Sequence, residues 1–163
     1  MMSPGSISVP DPQQIDNKTA YAEITIDAPI EAVWATLIDL NAYDTWNPFT
    51  YKVEIDQVAV GQVLSFSVRM SKRYIRRQLE IIKVIDAPHL LVWTPPPGKP
   101  GQPVRHQLLT ELRDGRTRYQ TWESFSGILG IIVRLFFLKA VQRGFTDMAN
   151  ALKVHVEGQK KSP

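Results

Sequence analysis

Two residues of this chain have the makings of a proton-transfer pair. His106 titrates near neutral pH and Glu123 carries a carboxylate; a nearby carboxylate raises a histidine's pKa and burial lowers it, so together they hold a proton near pH 7. A turn brings them together. Asp114-Gly115 is a strong two-residue hairpin signal, and closing it with Arg113 opposite Arg116 pairs Glu111 with Arg118, Thr110 with Tyr119, Leu108 with Thr121 and His106 with Glu123. In that register the two Cβ atoms lie about 5 Å apart on neighbouring strands. Such a pair suits general acid/base work on a carbonyl ligand, as in cyclisation or dehydration, or a polar anchor that orients a ligand without reacting. Tyr119, Thr110 and Thr121 add hydrogen-bonding groups to the same region.

Apolar side chains supply the setting. Trp46, Phe66, Trp93, Phe125, Val133, Phe136, Phe137 and Met148 are the candidate walls of a pocket, because small-molecule sites combine aromatic walls with a few polar groups. Each, taken singly, suits ordinary core as well. The chemistry of metals and phosphates is not indicated. The chain has no cysteine, and His89, His106 and His155 show no ligand spacing. It has no Gly-rich phosphate loop, nucleophile elbow or His-Glu-x-x-His motif. No cofactor is expected.

The element that must position these groups is the last long run, from Ser126 to about Glu157. Leu129, Val133, Phe136, Phe137, Ala140, Val141, Met148, Ala151 and Leu152 recur at spacings of three and four, which predicts one helix with a buried stripe. Gly144 near that stripe costs up to about 1 kcal/mol of helix stability relative to Ala, which points to a bend or a close contact. Upstream, Thr19 to Asp27 alternates as a strand. Pro29, Glu31 and the stripe Ile30, Val33, Trp34, Leu37 and Ile38 predict a helix, and Leu40 to Trp46 a second short one. Strands follow at about 50–58, 62–70, 73–86, 89–94, 104–113 and 116–125, with a proline-rich loop at 95–103 that suits a lid. Strand 73–86 shows no clean alternation, so which of Arg76, Arg77, Gln78 and Leu79 point inward is left open.

The order strand, two short helices, six strands and one long helix resembles the START-like superfamily, also called the birch-pollen-allergen or SRPBCC group, and within it the bacterial polyketide cyclase/dehydrase-type proteins. The matching text is Ile26-Asp27-Ala28-Pro29 with Val33-Trp34, then Trp46-Asn47-Pro48-Phe49, Leu91-Val92-Trp93, His106, Glu123 to Gly127, and Gly144-Phe145 through Lys153. The resemblance implies an α+β helix-grip fold, in which a curved antiparallel sheet of about seven strands wraps around a long C-terminal helix and leaves a cavity for a hydrophobic ligand. Superfamily members include carriers, receptors, cyclases and co-chaperone modules, and the fold alone does not choose among them. The expected function is carriage or sensing of a hydrophobic small molecule or lipid. The alternatives are a cyclase or dehydratase using His106 and Glu123, and a regulatory or co-chaperone interaction module.

Composition sets the remaining bounds. The 163 residues, 44% hydrophobic and 21% charged, suit one globular domain at 18–158, with a flexible lead-in at 1–17 and a tail at 159–163. With no cysteine and no secretory signal pattern, a cytoplasmic location is expected. The net charge of +3 is compatible with anionic partners without requiring them. Arg69, Lys72, Arg73, Arg76 and Arg77 crowd one hairpin and suit transient contact with an anionic membrane. Nucleic acid is the weaker reading, because only Tyr74 interleaves an aromatic ring. Ile128 to Ile132, apolar on every side, suits an exposed portal touching lipid. The oligomeric state is not readable.

Overall fold

A computed structural model describes residues 9–97 and 102–159. The start of the lead-in, the tip of the 95–103 loop and all but the first residue of the 159–163 tail lie outside these residues, as do the side chains of Leu129 and Val133. The strands are β1 (Thr19–Ile26), β2 (Thr50–Glu54), β3 (Val63–Arg69), β4 (Ile75–Asp86), β5 (Leu90–Thr94), β6 (Arg105–Glu111) and β7 (Thr117–Ser124). They form one antiparallel sheet in the order β1-β7-β6-β5-β4-β3-β2. Helix α1 (Ile30–Ile38) and a 3-10 helix (Leu40–Thr45) lie between β1 and β2, and α2 (Gly127–Phe136) and α3 (Leu138–Gln159) end the chain. This is the helix-grip arrangement, α+β, with the sheet curled around the last helix.

Helix α3 lies on the sheet through a single stripe. Val141, Gly144, Phe145, Met148, Ala149, Leu152 and Val156 are its buried residues, at helical spacing. They meet Ile26, Leu64, Ile82, Leu91, Leu109 and Tyr119 in one apolar core. Gly144 marks the close contact its position suggested: a Cβ there would stand 2.1–2.6 Å from the ring of Phe49. Polar side chains of α3 complete the grip by covering the free edge of β1. Gln142 accepts from the Tyr21 N–H at 2.9 Å and donates to the Tyr21 carbonyl at 2.6 Å. Lys153 donates to the Thr25 carbonyl at 2.7 Å, and Glu157 accepts from the Asp27 N–H at 2.7 Å. An edge strand's unpaired backbone groups would otherwise invite another strand.

Two expectations are corrected. The single helix expected from Ser126 to Glu157 is broken at Phe137, where α2 ends and α3 begins. The break turns the Phe137 ring toward Tyr74, 6.1 Å away, and leaves Phe136 in solvent. The second correction is the register of the last hairpin. The loop holds three residues, Arg113, Asp114 and Gly115, because Leu112 rather than Arg113 pairs with Arg116: the Leu112 N–H donates to the Arg116 carbonyl at 2.8 Å. Gly115, at φ 78°, takes the left-handed position that ends a three-residue loop of this kind. The shift is one residue. It pairs Arg105 with Glu123, His106 with Trp122, Gln107 with Thr121 and Thr110 with Arg118, and a one-residue slip turns every side chain of one strand to the opposite face.

Candidate functional site

Between the inner face of β3 to β7 and α3 lies a cavity of about 780 Å³. Small-molecule sites commonly span about 300–1,000 Å³. Phe49, Phe66, Trp93, Phe125, Phe137 and Phe145 give it aromatic walls, with Phe66 and Trp93 at 6.1 Å between ring centres. Their placement follows from strand alternation. Leu64, Phe66 and Val68 of β3 stand opposite Glu80, Gln78 and Arg76 of β4, so these residues of the two strands share the inner face. Pro95, Pro96, Gln102 and Pro103 also line the cavity. The lid expected of that loop falls partly on residues 98–101, outside those described.

The polar end of the cavity is built from charged residues. Trp93 pairs with Arg105 and Arg105 with Glu123, which sets the three in one cross-strand row. Arg105 is only 6% exposed. Its Nε donates to the Thr121 hydroxyl at 2.8 Å, its guanidinium carbon lies 3.6 Å from the centre of the Phe145 ring, and its Nη2 is 3.3 Å from the Met148 sulfur. Stacking on a ring and a fixed hydrogen bond hold the planar cation in place. Thr121 in turn donates to the His106 carbonyl at 2.9 Å. Glu80, 6% exposed, and Arg76 complete the set.

Burial, and next the neighbouring Glu123 carboxyl, push the Glu80 pKa from 4.5 up to about 8, with Arg105 and Arg76 pulling the other way. Burial also raises Glu123, again against Arg105 and Arg76. Among the described residues neither carboxyl has a hydrogen bond or ion pair within 4 Å, and both line the cavity. The site therefore presents two carboxyl groups with acceptor positions unfilled, beside one immobilised guanidinium. A buried acceptor without a partner favours whatever donor can reach it.

The candidates read from the sequence divide accordingly. Phe66, Trp93, Phe125 and Phe137 line the cavity, and so does Glu123. His106 does not join Glu123: it lies on the outer face, stacked on Trp122 at 4.7 Å and 5°, with its pKa lowered by burial against a raising contact from the Val104 carbonyl. Thr110 sits opposite Arg118 on that outer face. Thr121 and Met148 act beneath the cavity by holding Arg105. The Tyr119 hydroxyl is turned to Gln107, at 2.9 Å. Trp46 packs on Tyr43, 4.8 Å away, and Phe136 is exposed to solvent. Arg105 and Glu80 escaped notice: the first through the register slip, the second through the uneven alternation of β4. Counting back in twos from the buried Ile82 would have found Glu80.

Comparison with known proteins agrees with the architecture. Residues 18–157 match the family described as polyketide cyclase / dehydrase and lipid transport. No curated protein matches the chain. Among solved structures, the ZhuI aromatase/cyclase from Streptomyces sp. R1128 is similar at a TM-score of 0.74 and 20% identity, over 88% of this chain and 96% of that one. A START superfamily protein from Mycobacterium smegmatis gives 0.67 and 17%, over 86% and 98%. The two-domain aromatase/cyclase BexL gives 0.63 and 14%, over 91% of this chain and 52% of that one. With its sheet curled around α3, an aromatic-walled cavity between them and a family match over nearly all of its length, the chain belongs to the polyketide cyclase / dehydrase and lipid transport family.

Proposed function

We propose that the cavity binds a hydrophobic molecule with a flat, ring-bearing body and hydroxyl groups at one end. The aromatic walls take the body, and the hydroxyls donate to Glu80 and Glu123 while Arg105 donates to a carbonyl. The observation that carries this reading is the pair of carboxyls, without a hydrogen bond or ion pair among the described residues, in a cavity with aromatic walls. A free fatty acid fits it less well, because its flexible chain offers the aromatic walls no ring to stack on and its single carboxyl group leaves part of the Glu80, Glu123 and Arg105 set unused. The test is calorimetric titration with 1,8-dihydroxyanthraquinone and with palmitate. The reading expects the hydroxylated ring system to bind at least tenfold more tightly and Glu123→Gln to reduce that preference; equal or reversed affinities contradict it.

One observation favours a second reading, proton transfer on the bound ligand. Burial and the field of Glu123 push the Glu80 pKa up to about 8, so that it stays protonated at neutral pH. On a β-hydroxy ketone, Glu123 as carboxylate would take the α-proton to give an enolate, and Glu80 would give its proton to the departing hydroxyl, releasing water and an enone. The match to a cyclase / dehydrase family and the likeness to an aromatase/cyclase support testing this reaction. Turnover abolished by both Glu80→Gln and Glu123→Gln, with binding retained, would establish it; unchanged substrate on prolonged incubation would leave binding alone.

A further inference from the structure

Helix α2 leaves four apolar side chains uncovered. Ile131, Ile132, Leu135 and Phe136 are between 46% and 74% exposed, and α2 packs chiefly on α3. The uncovered surface continues across Phe137. The Phe137 ring is 6.5 Å from Phe136 on one side and 6.1 Å from Tyr74 on the other, and Tyr74 and Ile75, at the β3–β4 hairpin, are 45% and 51% exposed. Cations stand beside this patch. Arg69, Lys72, Arg73 and Arg143 line a groove of about 1040 Å³ with Asp44 and Asp147, and Arg76 follows at the start of β4. Arg77 is paired with Glu54 at 2.6 Å and Arg143 donates to the Met70 carbonyl at 2.9 Å. Among the described residues Arg69, Lys72, Arg73 and Arg76 have no ion pair.

We infer that α2 and the β3–β4 hairpin form one docking face for an anionic phospholipid bilayer, with Leu135 and Phe136 entering the interface and Lys72 and Arg73 on the headgroups. An apolar wedge beside unpaired cations is the pattern of a surface-lying membrane element. Among the described residues no helix is long and apolar enough to cross a membrane, so α2 lies on the surface. A second copy of the chain would have to bring an anionic surface to Lys72 and Arg73, whereas the hairpin it shares carries cations there. Nucleic acid is the poorer fit because only Tyr74 interleaves an aromatic ring among the hairpin's cations. Phe137 belongs to this face and to the cavity wall, so docking sets the cavity beside lipid. That last consequence rests on the cavity-binding reading; docking itself does not.

The test is flotation of the full chain with large unilamellar vesicles of phosphatidylcholine alone or with one quarter phosphatidylglycerol, at 50 and 500 mM salt. Binding is expected only with phosphatidylglycerol, falling at least tenfold at the higher salt as the counter-ions screen it. Leu135→Ser/Phe136→Ser and Lys72→Glu/Arg73→Glu, both pairs on the surface, should each lower it at least tenfold with unchanged circular dichroism. No flotation, or equal flotation on both lipids, overturns the inference. So does a dimer in sedimentation velocity that Leu135→Ser/Phe136→Ser dissociates while vesicles stay bare. Binding of 1,8-dihydroxyanthraquinone measured without vesicles reports on the cavity separately.

Discussion

Glu80 makes the stability of this protein depend on pH in a definite direction. Its pKa is 4.5 when exposed and about 8 in the fold, raised first by burial and then by Glu123. Between those values the folded chain keeps a proton that the unfolded chain has released. Stability is therefore full below about pH 4.5 and is lost as pH rises toward and through about 8, the reverse of a salt-bridged carboxylate. At about 1.4 kcal/mol per pH unit the interval amounts to at most about 5 kcal/mol, a large part of the roughly 5–15 kcal/mol that holds a domain together. The assay is urea unfolding, followed by circular dichroism from pH 5 to 9, for the parent chain and Glu80→Gln. The amide is nearly the same shape and cannot ionise, so the difference between the two isolates this group. The expected result is a gap in favour of Glu80→Gln that widens by several kcal/mol across the range. Removing the neighbouring charge with Glu123→Gln should narrow that gap. Parallel curves for parent and Glu80→Gln would refute the reasoning.

Other substitutions test the packing around the site. Gly144→Ala should destabilise by about 1–3 kcal/mol through collision with Phe49, although alanine is the better helix former by about 1 kcal/mol; a gain in urea midpoint would remove that contact from the account. Arg105→Ala should cost about 1–3 kcal/mol in thermal unfolding, because it vacates the place over Phe145, ends the bond to the Thr121 hydroxyl and removes the cation that favours ionised Glu123. His106→Ala should lose about 1 kcal/mol of stacking on Trp122 and leave ligand affinity within twofold, and a tenfold loss by titration would return the histidine to the site.

Much of the frame could be read from residue order. Alternation and turn residues located all seven strands, and the three-and-four spacing from Val141 to Leu152 located α3 and its buried face. Gly144 in a buried stripe signalled a close neighbour, which is Phe49. The register was harder, because a glycine after an aspartate serves a two-residue and a three-residue turn equally well. The backbone pairing of Leu112 with Arg116, which decides between them, leaves no trace in residue types. That single step put His106 where Arg105 belongs. On β4 the inward set is the polar Arg76, Gln78 and Glu80 while the apolar Ile75 and Leu79 are exposed, so the pattern runs opposite to that of a core-facing strand and the inward set did not stand out. The break at Phe137 has neither proline nor glycine to announce it, and is visible only in where the ring goes.

The most direct test of the central claim is a two-dimensional NMR titration of the labelled protein with 1,8-dihydroxyanthraquinone. The account predicts shifts concentrated on Phe66, Trp93, Arg105, Glu123, Phe125 and Phe145, with the indole N–H of Trp93 moving and that of Trp122, on the outer face, unmoved. Shifts centred on His106 and Trp122 instead, or no saturable shifts at all, would contradict it.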